Sequence, residues 1–237
     1  MGLTSVKEFD WTEFPAPSNL QLSNSYPQLS CKVPETIENQ PRETDPRFQR
    51  SLKALQDALL ELIDVHPLRE ISINALVKAA GLTRPTFYQH FTDVPDAARR
   101  VALVRLAAAF PMPEPFPEGF EISAGTIIDD VTETALPVIE HLQENRRFYL
   151  RVLEEAGNAP FLDEVVTFLA DRYLSDAFEL AARRQGARSD DLLTATASGT
   201  MWLILRWLRE DRPEETAAEM ARRVASVVAT MVPVRAD

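Results

Sequence analysis

The chain has 237 residues, of which 45% are hydrophobic, a composition that excludes wholesale disorder and allows one large domain or two small ones. No apolar run approaches the ~18 residues of a membrane-spanning helix, and the N-terminus lacks the basic and apolar stretches of a secretory signal. The single Cys31 excludes an intrachain disulfide framework, so we expect a cytoplasmic protein.

Charge is distributed unevenly along the chain. The formal net charge of −11 argues against binding to nucleic acid. Residues 41–105 nevertheless carry 10 basic and 8 acidic side chains, whereas residues 106–237 carry 13 and 23. Because the local field governs phosphate binding, the positive middle segment leaves a DNA-binding role open.

Residues 1–45 are predicted to form an N-terminal arm, since they contain five prolines and no sustained periodicity. Two interpretations of this arm stay open. It is either a disordered extension or a segment that docks on the body or on a partner subunit through Phe9, Trp11, Phe14 and Tyr26. The first helix is predicted to begin after Asp45, with Pro46 in its first turn, and to end before Pro67.

Two short helices with clear boundary signals follow. Ser72 and Thr83 are suitable N-caps, and Gly81 suits the left-handed residue that ends the first of the two helices. Phe87 and Phe91 are four residues apart, so both face the interior. The pattern predicts a helix-turn-helix whose second helix presents polar side chains to a DNA major groove.

The rest of the chain is predicted to be helical on both sides of a linker. Asp93 is expected to cap a connecting helix that runs to about Phe110. Residues 111–122, with four alternating prolines, are predicted to be an extended linker between a DNA-binding domain, residues 46–110, and a helical domain, residues 123–237. Apolar stripes predict five further helices, which makes the fold all-α with about nine helices. Their approximate bounds are 128–142 with a kink near Pro137, 148–157, 161–182, 189–205 and 213–231.

The segment from Ile71 to Phe91, ISINALVKAAGLTRPTFYQHF, resembles the signature of the tetracycline-repressor-like (TetR) family. The resemblance implies an all-helical homodimer with an N-terminal DNA-binding domain and a larger C-terminal domain that binds a small effector and pairs the subunits. It implies that Arg84, Pro85 and Gln89 lie near base edges, that Thr86, Tyr88 and His90 lie near backbone phosphates, and that Thr83 is a cap and a further phosphate contact. The sequence departs from the family at Val94, where a phosphate-contacting lysine is usual.

The expected function is that of a sequence-specific transcriptional repressor, released from double-stranded operator DNA by a small-molecule effector. No catalytic residue, metal site or cofactor is expected, because the three histidines lie on separate segments and no Gly-rich phosphate loop is present. Two other classes stay open. One is an enzyme that uses an apolar C-terminal pocket, and the other is an adaptor that does not bind DNA, which Val94 and the low charge of residues 41–105 favour.

The effector pocket and the dimer interface are assigned from apolar stripes. Candidates for the pocket are Phe148, Tyr149, Phe161, Phe168 and Trp202, although aromatic residues at this spacing are also typical of a core. The last two helices are predicted to pair with their symmetry mates through Leu192, Val224, Val227 and Val228. Induction is expected to act on the connecting helix near Val104 and Ala108.

Overall fold

The computed structural model describes residues 45–110, 123–173, 175–210 and 214–232, which form ten α-helices and no strand. The all-α class is therefore confirmed. The predicted arm, apart from Asp45, and the linker at 111–122 lie outside the described residues, as does Cys31. The helices are α1 (Pro46–Val65), α2 (Ile73–Ala79), α3 (Arg84–Tyr88), α4 (Val94–Ala109), α5 (Ala124–Glu144), α6 (Arg146–Arg151), α7 (Ala159–Ala170), α8 (Ser175–Gln185), α9 (Ser189–Arg209) and α10 (Ala217–Met231).

Two short elements complete the chain trace. A 3-10 turn (Leu68–Glu70) lies between α1 and α2, and a π-helical turn (Val152–Ala156) continues α6. The π-helical turn ends at Gly157, where a Cβ atom would clash with the carbonyl oxygen of Leu153. We refer to α1–α4 as the head and to α5–α10 as the body.

Side-chain caps fix the start of several helices. The Asp45 carboxylate accepts from the Arg47 amide at 2.8 Å, and the Asp93 carboxylate accepts from the Asp96 amide at 2.6 Å. Each cap satisfies an amide that has no partner within its own helix. A proline lies in the first turn of α1, α3, α4 and α7, where its missing N–H costs no hydrogen bond.

The single helix predicted over 161–182 is wrong, because the chain breaks it into α7 and α8. Short-range hydrogen bonds close the end of α7, from the Arg172 amide to Leu169 and from the Tyr173 amide to Ala170. The Arg172 side chain holds the turn, since its Nε donates to the carbonyl of Phe110 at 2.6 Å. No glycine or proline marks this break in the sequence.

Helix α10 begins later than predicted, at Ala217 rather than at Pro213. Thr216 and Glu219 form a capping box, in which the Thr216 hydroxyl accepts from the Glu219 amide and the Glu219 carboxylate accepts from the Thr216 amide. The buried face of α10 packs against α5. Its members are Ala217, Met220, Ala221, Val224, Ala225 and Val228.

One continuous apolar core runs through the described residues. In the head, Leu59, Leu76 and Phe87 are completely buried where α1, α2 and α3 meet. Complete burial of such side chains stabilises the fold by about 1.5–3 kcal/mol each. Within the described residues, no helix combines the length and apolar character that crossing a membrane requires.

Candidate DNA-binding surface and ligand cavity

The helix-turn-helix is built by local hydrogen bonds at each boundary. The Ser72 hydroxyl accepts from the Ala75 amide at 3.1 Å, and the Thr83 hydroxyl accepts from the Thr86 amide at 3.4 Å. Gly81 has a φ of +65°, a conformation that favours glycine, and the Leu82 amide closes the turn on the Val77 carbonyl at 2.8 Å. These contacts orient α3 relative to α2.

The exposed surface of α3 carries most of the residues that the resemblance implies for DNA contact. Thr83, Arg84, Pro85 and Gln89 are exposed, and Tyr88 exposes 52% of its surface. Arg84 Nη2 donates to the Tyr88 hydroxyl at 3.2 Å, and the guanidinium lies 5.9 Å from the centre of the Tyr88 ring. Thr86 is half-buried, with its hydroxyl 3.0 Å from that of Thr83. The result is a polar surface that extends along α3, from its N-cap Thr83 to its C-cap Gln89.

His90 does not belong to this polar surface, which corrects the position expected for it. Its side chain is only 7% exposed and its ring lies 4.1 Å from that of Phe48. The Ser51 hydroxyl donates to the Phe48 carbonyl, so His90 Nε2–H donates to Ser51 Oγ at 2.8 Å. His90 Nδ1 is buried without a partner in the described residues, and burial lowers the pKa of the imidazole. The neutral ring therefore ties α3 to α1.

Val94 is also an interior residue. Its side chain is buried in the first turn of α4, so this position does not point to the surface. The adaptor interpretation took Val94 as a missing phosphate contact at the surface. Its burial removes that support.

The body contains an apolar cavity with a volume of about 110 Å³, many times the roughly 10–15 Å³ that one water-sized group needs. Side chains from every helix from α4 to α10 line it, and carbon makes up nearly all of the lining. Of the predicted pocket residues, Tyr149 and Phe161 do line the cavity. Such a cavity suits an apolar small molecule.

The other three predicted pocket residues lie elsewhere. Trp202 is 50% exposed on the outer face of α9, so assigning it to the pocket is wrong. Phe148 is buried beside Arg105, whose guanidinium lies 5.4 Å from its ring centre. Phe168 lies 3.4 Å from the guanidinium of Arg172. Both rings thus pack against cations and are absent from the cavity wall.

The cavity lining also contains several polar groups that the apolar stripes in the sequence do not predict. Tyr149 shares a hydrogen bond of 2.8 Å with His141 Nε2, and the Tyr173 hydroxyl donates to Thr200 Oγ1 at 2.5 Å. Burial raises the pKa of each tyrosine to about 12, so both hydroxyls stay protonated at neutral pH. Asp130, Thr134 and Arg172 complete the polar part of the lining.

Two of the four predicted interface residues are interior residues of the subunit. Val224 and Val228 are buried and line the cavity, so they are not on a surface that a partner could cover. Leu192 and Val227 are half-buried. Among the described residues of α9 and α10, two large apolar side chains are exposed: Trp202, which follows exposed Ala195 and Gly199 along α9, and Met231 at the end of α10.

The π-helical turn contacts both the cavity and the head. Val152 and Leu153 line the cavity. In the same turn, the Glu155 carboxylate accepts from the Arg69 amide at 3.1 Å, and the Ala156 carbonyl accepts from Arg99 Nη1 at 3.0 Å. Five consecutive residues therefore connect the cavity wall to the 3-10 turn and to α4.

Arginines of α6 add a second set of links, to the C-terminal end of α1. Arg147 Nη1 donates to the Asp64 carbonyl at 3.1 Å. Arg151 Nη1 donates to the carbonyls of Ile63 and His66, the latter at 2.7 Å. Cations at a helix C-terminus satisfy its free carbonyls and interact favourably with the helix dipole. The head is thus held to the body by charged hydrogen bonds.

A metal centre finds no support in the part of the chain that the structure describes. No group of three His, Cys, Asp or Glu side chains there could hold a metal ion.

Comparisons with known proteins agree on the family. A model described as bacterial regulatory proteins of the tetR family matches residues 55–93, and a model of a transcriptional regulator C-terminal region matches residues 129–229. No curated protein sequence matches the chain closely enough to count as a relative. The crystal structure of a TetR transcriptional regulator from Streptococcus agalactiae 2603V is similar in fold, with a TM-score of 0.52 and 15% identity over 78% of this chain and 97% of that one.

The two family models cover different halves of the molecule. The first contains α2 and α3 with their caps, and the second spans most of α5 to α10. An identity of 15% speaks for the fold alone, and the similar structure has the same all-helical architecture. Fold, helix-turn-helix and family models together show that this chain belongs to the TetR family of bacterial transcriptional regulators.

Proposed function

We propose that this regulator is a repressor, which binds operator DNA in the cytoplasm as a homodimer and releases it when a small molecule fills the body cavity. The observation that carries the proposal is the position of α4. Five residues separate the end of α3 from the start of α4, and the C-terminal half of α4 lines the cavity with Ala102, Leu103 and Leu106. A molecule in the cavity would therefore press on the helix that carries the reading head.

The polar surface of α3 would provide the DNA contacts. Arg84, Pro85 and Gln89 would approach base edges in the major groove, and Thr83, Thr86 and Tyr88 would contact phosphates. Their exposure or half-exposure along α3 supports this assignment. His90 acts in the proposal as a positioning residue, because its hydrogen bond to Ser51 fixes α3 on α1.

The homodimer would form through the outer face of α9. Ala195 and Gly199 are small and exposed, which allows a second helix to approach closely, and Trp202 supplies the apolar anchor. Leu192 and Val227 would lie at the edge of the same contact. An isologous pairing of this kind relates the two copies of α3 by a two-fold axis.

Induction would change the distance between the two copies of α3. A dimer of this type reads half-sites about 34–36 Å apart, so its affinity depends on that distance. The face of α4 that lines the cavity consists of Ala102, Leu103 and Leu106. The face expected from sequence was wrong, since Val104 and Ala108 are exposed.

The proposal is tested by sequencing the genomic DNA fragments that the purified protein enriches. We expect a few sites with two-fold-related half-sites, and loss of their enrichment in an Arg84→Ala, Gln89→Ala double variant. Removing the gene should raise transcription next to those sites. Enrichment without sequence preference would contradict operator binding, and a fall in transcription would identify an activator instead.

A further inference from the structure

One ionisable side chain in the cavity lining has no partner for its charge. Asp130 lies on the cavity-facing stripe of α5, together with Ile127, Val131 and Thr134. Within the described residues its carboxylate makes no hydrogen bond and no ion pair. The Thr134 hydroxyl donates to the backbone carbonyl of Asp130, at 2.8 Å, and so does not serve the carboxylate.

The other polar groups of the lining are already engaged. Arg172 donates from Nε to the Phe110 carbonyl at 2.6 Å and from Nη1 to the Phe168 carbonyl at 3.0 Å, with its guanidinium against the Phe168 ring. The tyrosine hydroxyls have partners in His141 and Thr200. Asp130 is thus the group of the described lining that is left to select a ligand.

Asp130 is half-buried, and its carboxylate loses hydration where it borders the apolar cavity, so a donor or a cation on that side would stabilise it. Partial burial, and the negative charge of Glu133 one turn away, raise the pKa of Asp130, so its ionised form is less favourable here than in water. A ligand with a positive charge would remove this disadvantage, and a ligand with a negative charge would add to it.

We propose that the effector is an apolar amine, whose hydrocarbon part fills the cavity and whose ammonium group donates to the carboxylate of Asp130. The inference rests on the proposed regulatory function, because it names the chemical class of the effector for that cavity. A charge-assisted hydrogen bond inside an apolar site then supplies the specificity.

The test compares octylamine, octanol and octanoate, which share a chain length and differ in charge. Calorimetric titration of the full chain at neutral pH, below the micelle-forming concentrations, gives the three affinities. We expect octylamine to bind at least about tenfold more tightly than octanol, as for gain of a charged hydrogen bond, and octanoate to bind most weakly.

Variants separate a specific contact from general attraction to an acidic protein. Asp130→Asn should reduce octylamine binding to the level of octanol and leave octanol binding unchanged. Asp129→Asn is the matched control, since Asp129 is the neighbouring carboxylate on α5 and is exposed. It should change none of the three affinities. Thermal unfolding verifies that each variant is folded. If a variant does not fold, the comparison of the three ligands on the unaltered chain still tests the ligand class.

The inference would be overturned if octanoate bound most tightly, if octylamine and octanol bound equally, or if the two variants weakened octylamine binding to the same extent. Absence of binding by all three compounds would overturn it as well. These measurements contain no DNA. Failure of the genomic enrichment with intact octylamine binding would therefore contradict the regulatory function and leave the ligand class standing.

Discussion

The side chains of α3 differ in what each can contribute to DNA binding. Arg84 and Gln89 carry several donors on exposed positions, whereas Tyr88 offers a single hydroxyl that already accepts from Arg84. Arg84→Ala or Gln89→Ala should each cost about 1–3 kcal/mol of operator affinity and relax the base preference. Tyr88→Phe should weaken binding to all sequences alike. Titration against the operator and its single-base variants at fixed salt measures both effects.

Arg183→Ala is a suitable control for the loss of one positive charge. Arg183 is exposed on α8 and pairs with Glu179 at 3.1 Å, within the body. The Arg183→Ala variant should bind operator with a free energy within a few tenths of a kcal/mol of that of the parent chain. Full operator affinity in both Arg84→Ala and Gln89→Ala would show that another surface reads the DNA.

Two imidazoles, His90, which is buried, and His141, which is half-buried, make the stability of the folded chain sensitive to mild acid. Burial lowers the pKa of His90 and of His141 below the ordinary 6.5. The unfolded chain therefore binds protons first as the pH falls through about 6.5, and stability is lost on the acid side of that value. His90→Gln and His141→Gln should each reduce the loss of unfolding free energy between about pH 7.5 and pH 5.5. Denaturant unfolding at the two pH values measures the change.

His66→Gln is the control for this measurement, because His66 is exposed at the end of α1. An equal acid sensitivity in the parent, in His90→Gln and in His141→Gln would mean that carboxyl groups alone cause it.

The polar residues of α3 could be predicted from the sequence because the caps and the Phe87–Phe91 spacing are local signals. The interior positions of His90 and Val94 could not. His90 is buried by Phe48 and Ser51, about forty residues earlier in the chain, and nothing near His90 in the sequence identifies these partners.

The π-helical turn is the element through which the proposed coupling between cavity and head would act, since it contacts both. Glu155→Ala removes a charged acceptor from the Arg69 amide, and such a bond is worth roughly 1.5–3 kcal/mol. Hydrogen exchange at the Arg69 amide should therefore become about tenfold to a hundredfold faster. Mass spectrometry of peptides that cover Leu68–Glu70 measures the rate.

Glu154→Ala is the matched control for Glu155. The Glu154 carboxylate lies 3.5 Å from Arg209 Nε, within the body, and has no contact with the 3-10 turn among the described residues. Faster exchange at Arg69 in both variants would indicate general loosening of the π-helical turn, and no change in either would remove this route of coupling.

The proposed interface on α9 depends on one exposed aromatic side chain, Trp202. Trp202→Glu should weaken dimerisation by at least about 2 kcal/mol, since it places a charge where an apolar anchor is expected. Sedimentation at several protein concentrations measures the equilibrium. Val65→Glu changes another exposed apolar residue, 71% exposed on α1, and should leave the dimer intact. An unchanged dimer in Trp202→Glu would place the interface on another face.

Helix positions were predicted well where caps or prolines mark the boundaries, as at Asp45, Ser72 and Asp93. The break between α7 and α8 was missed because the Arg172 side chain stabilises it through Phe110, a contact that is distant in sequence. The late start of α10 has a local signal, the Thr216–Glu219 capping box, that could have been recognised.

Across the subunit, an apolar stripe predicts which face of a helix is covered but does not identify the neighbour that covers it. The stripe on α10 was assigned to a partner subunit, yet Val224 and Val228 face the cavity of their own chain. The cavity arises from the joint packing of seven helices, so no single segment encodes it. For the same reason the aromatic residues of the body could not be divided into lining, packing and surface roles from sequence.

If the cavity binds the proposed effector, it would also link the supply of that ligand to the lifetime of the protein. An empty apolar space removes contacts that the surrounding Leu, Val and Phe side chains would otherwise make, so the unliganded fold is less stable than a filled one. A ligand at a hundred times its dissociation constant would add about 2.7 kcal/mol. Proteases act on unfolded molecules, so a protein that is unfolded less of the time is degraded more slowly. The inducer would thus protect from proteolysis the repressor that it releases from DNA, and a stock of intact protein would be ready to restore repression as soon as the inducer is consumed.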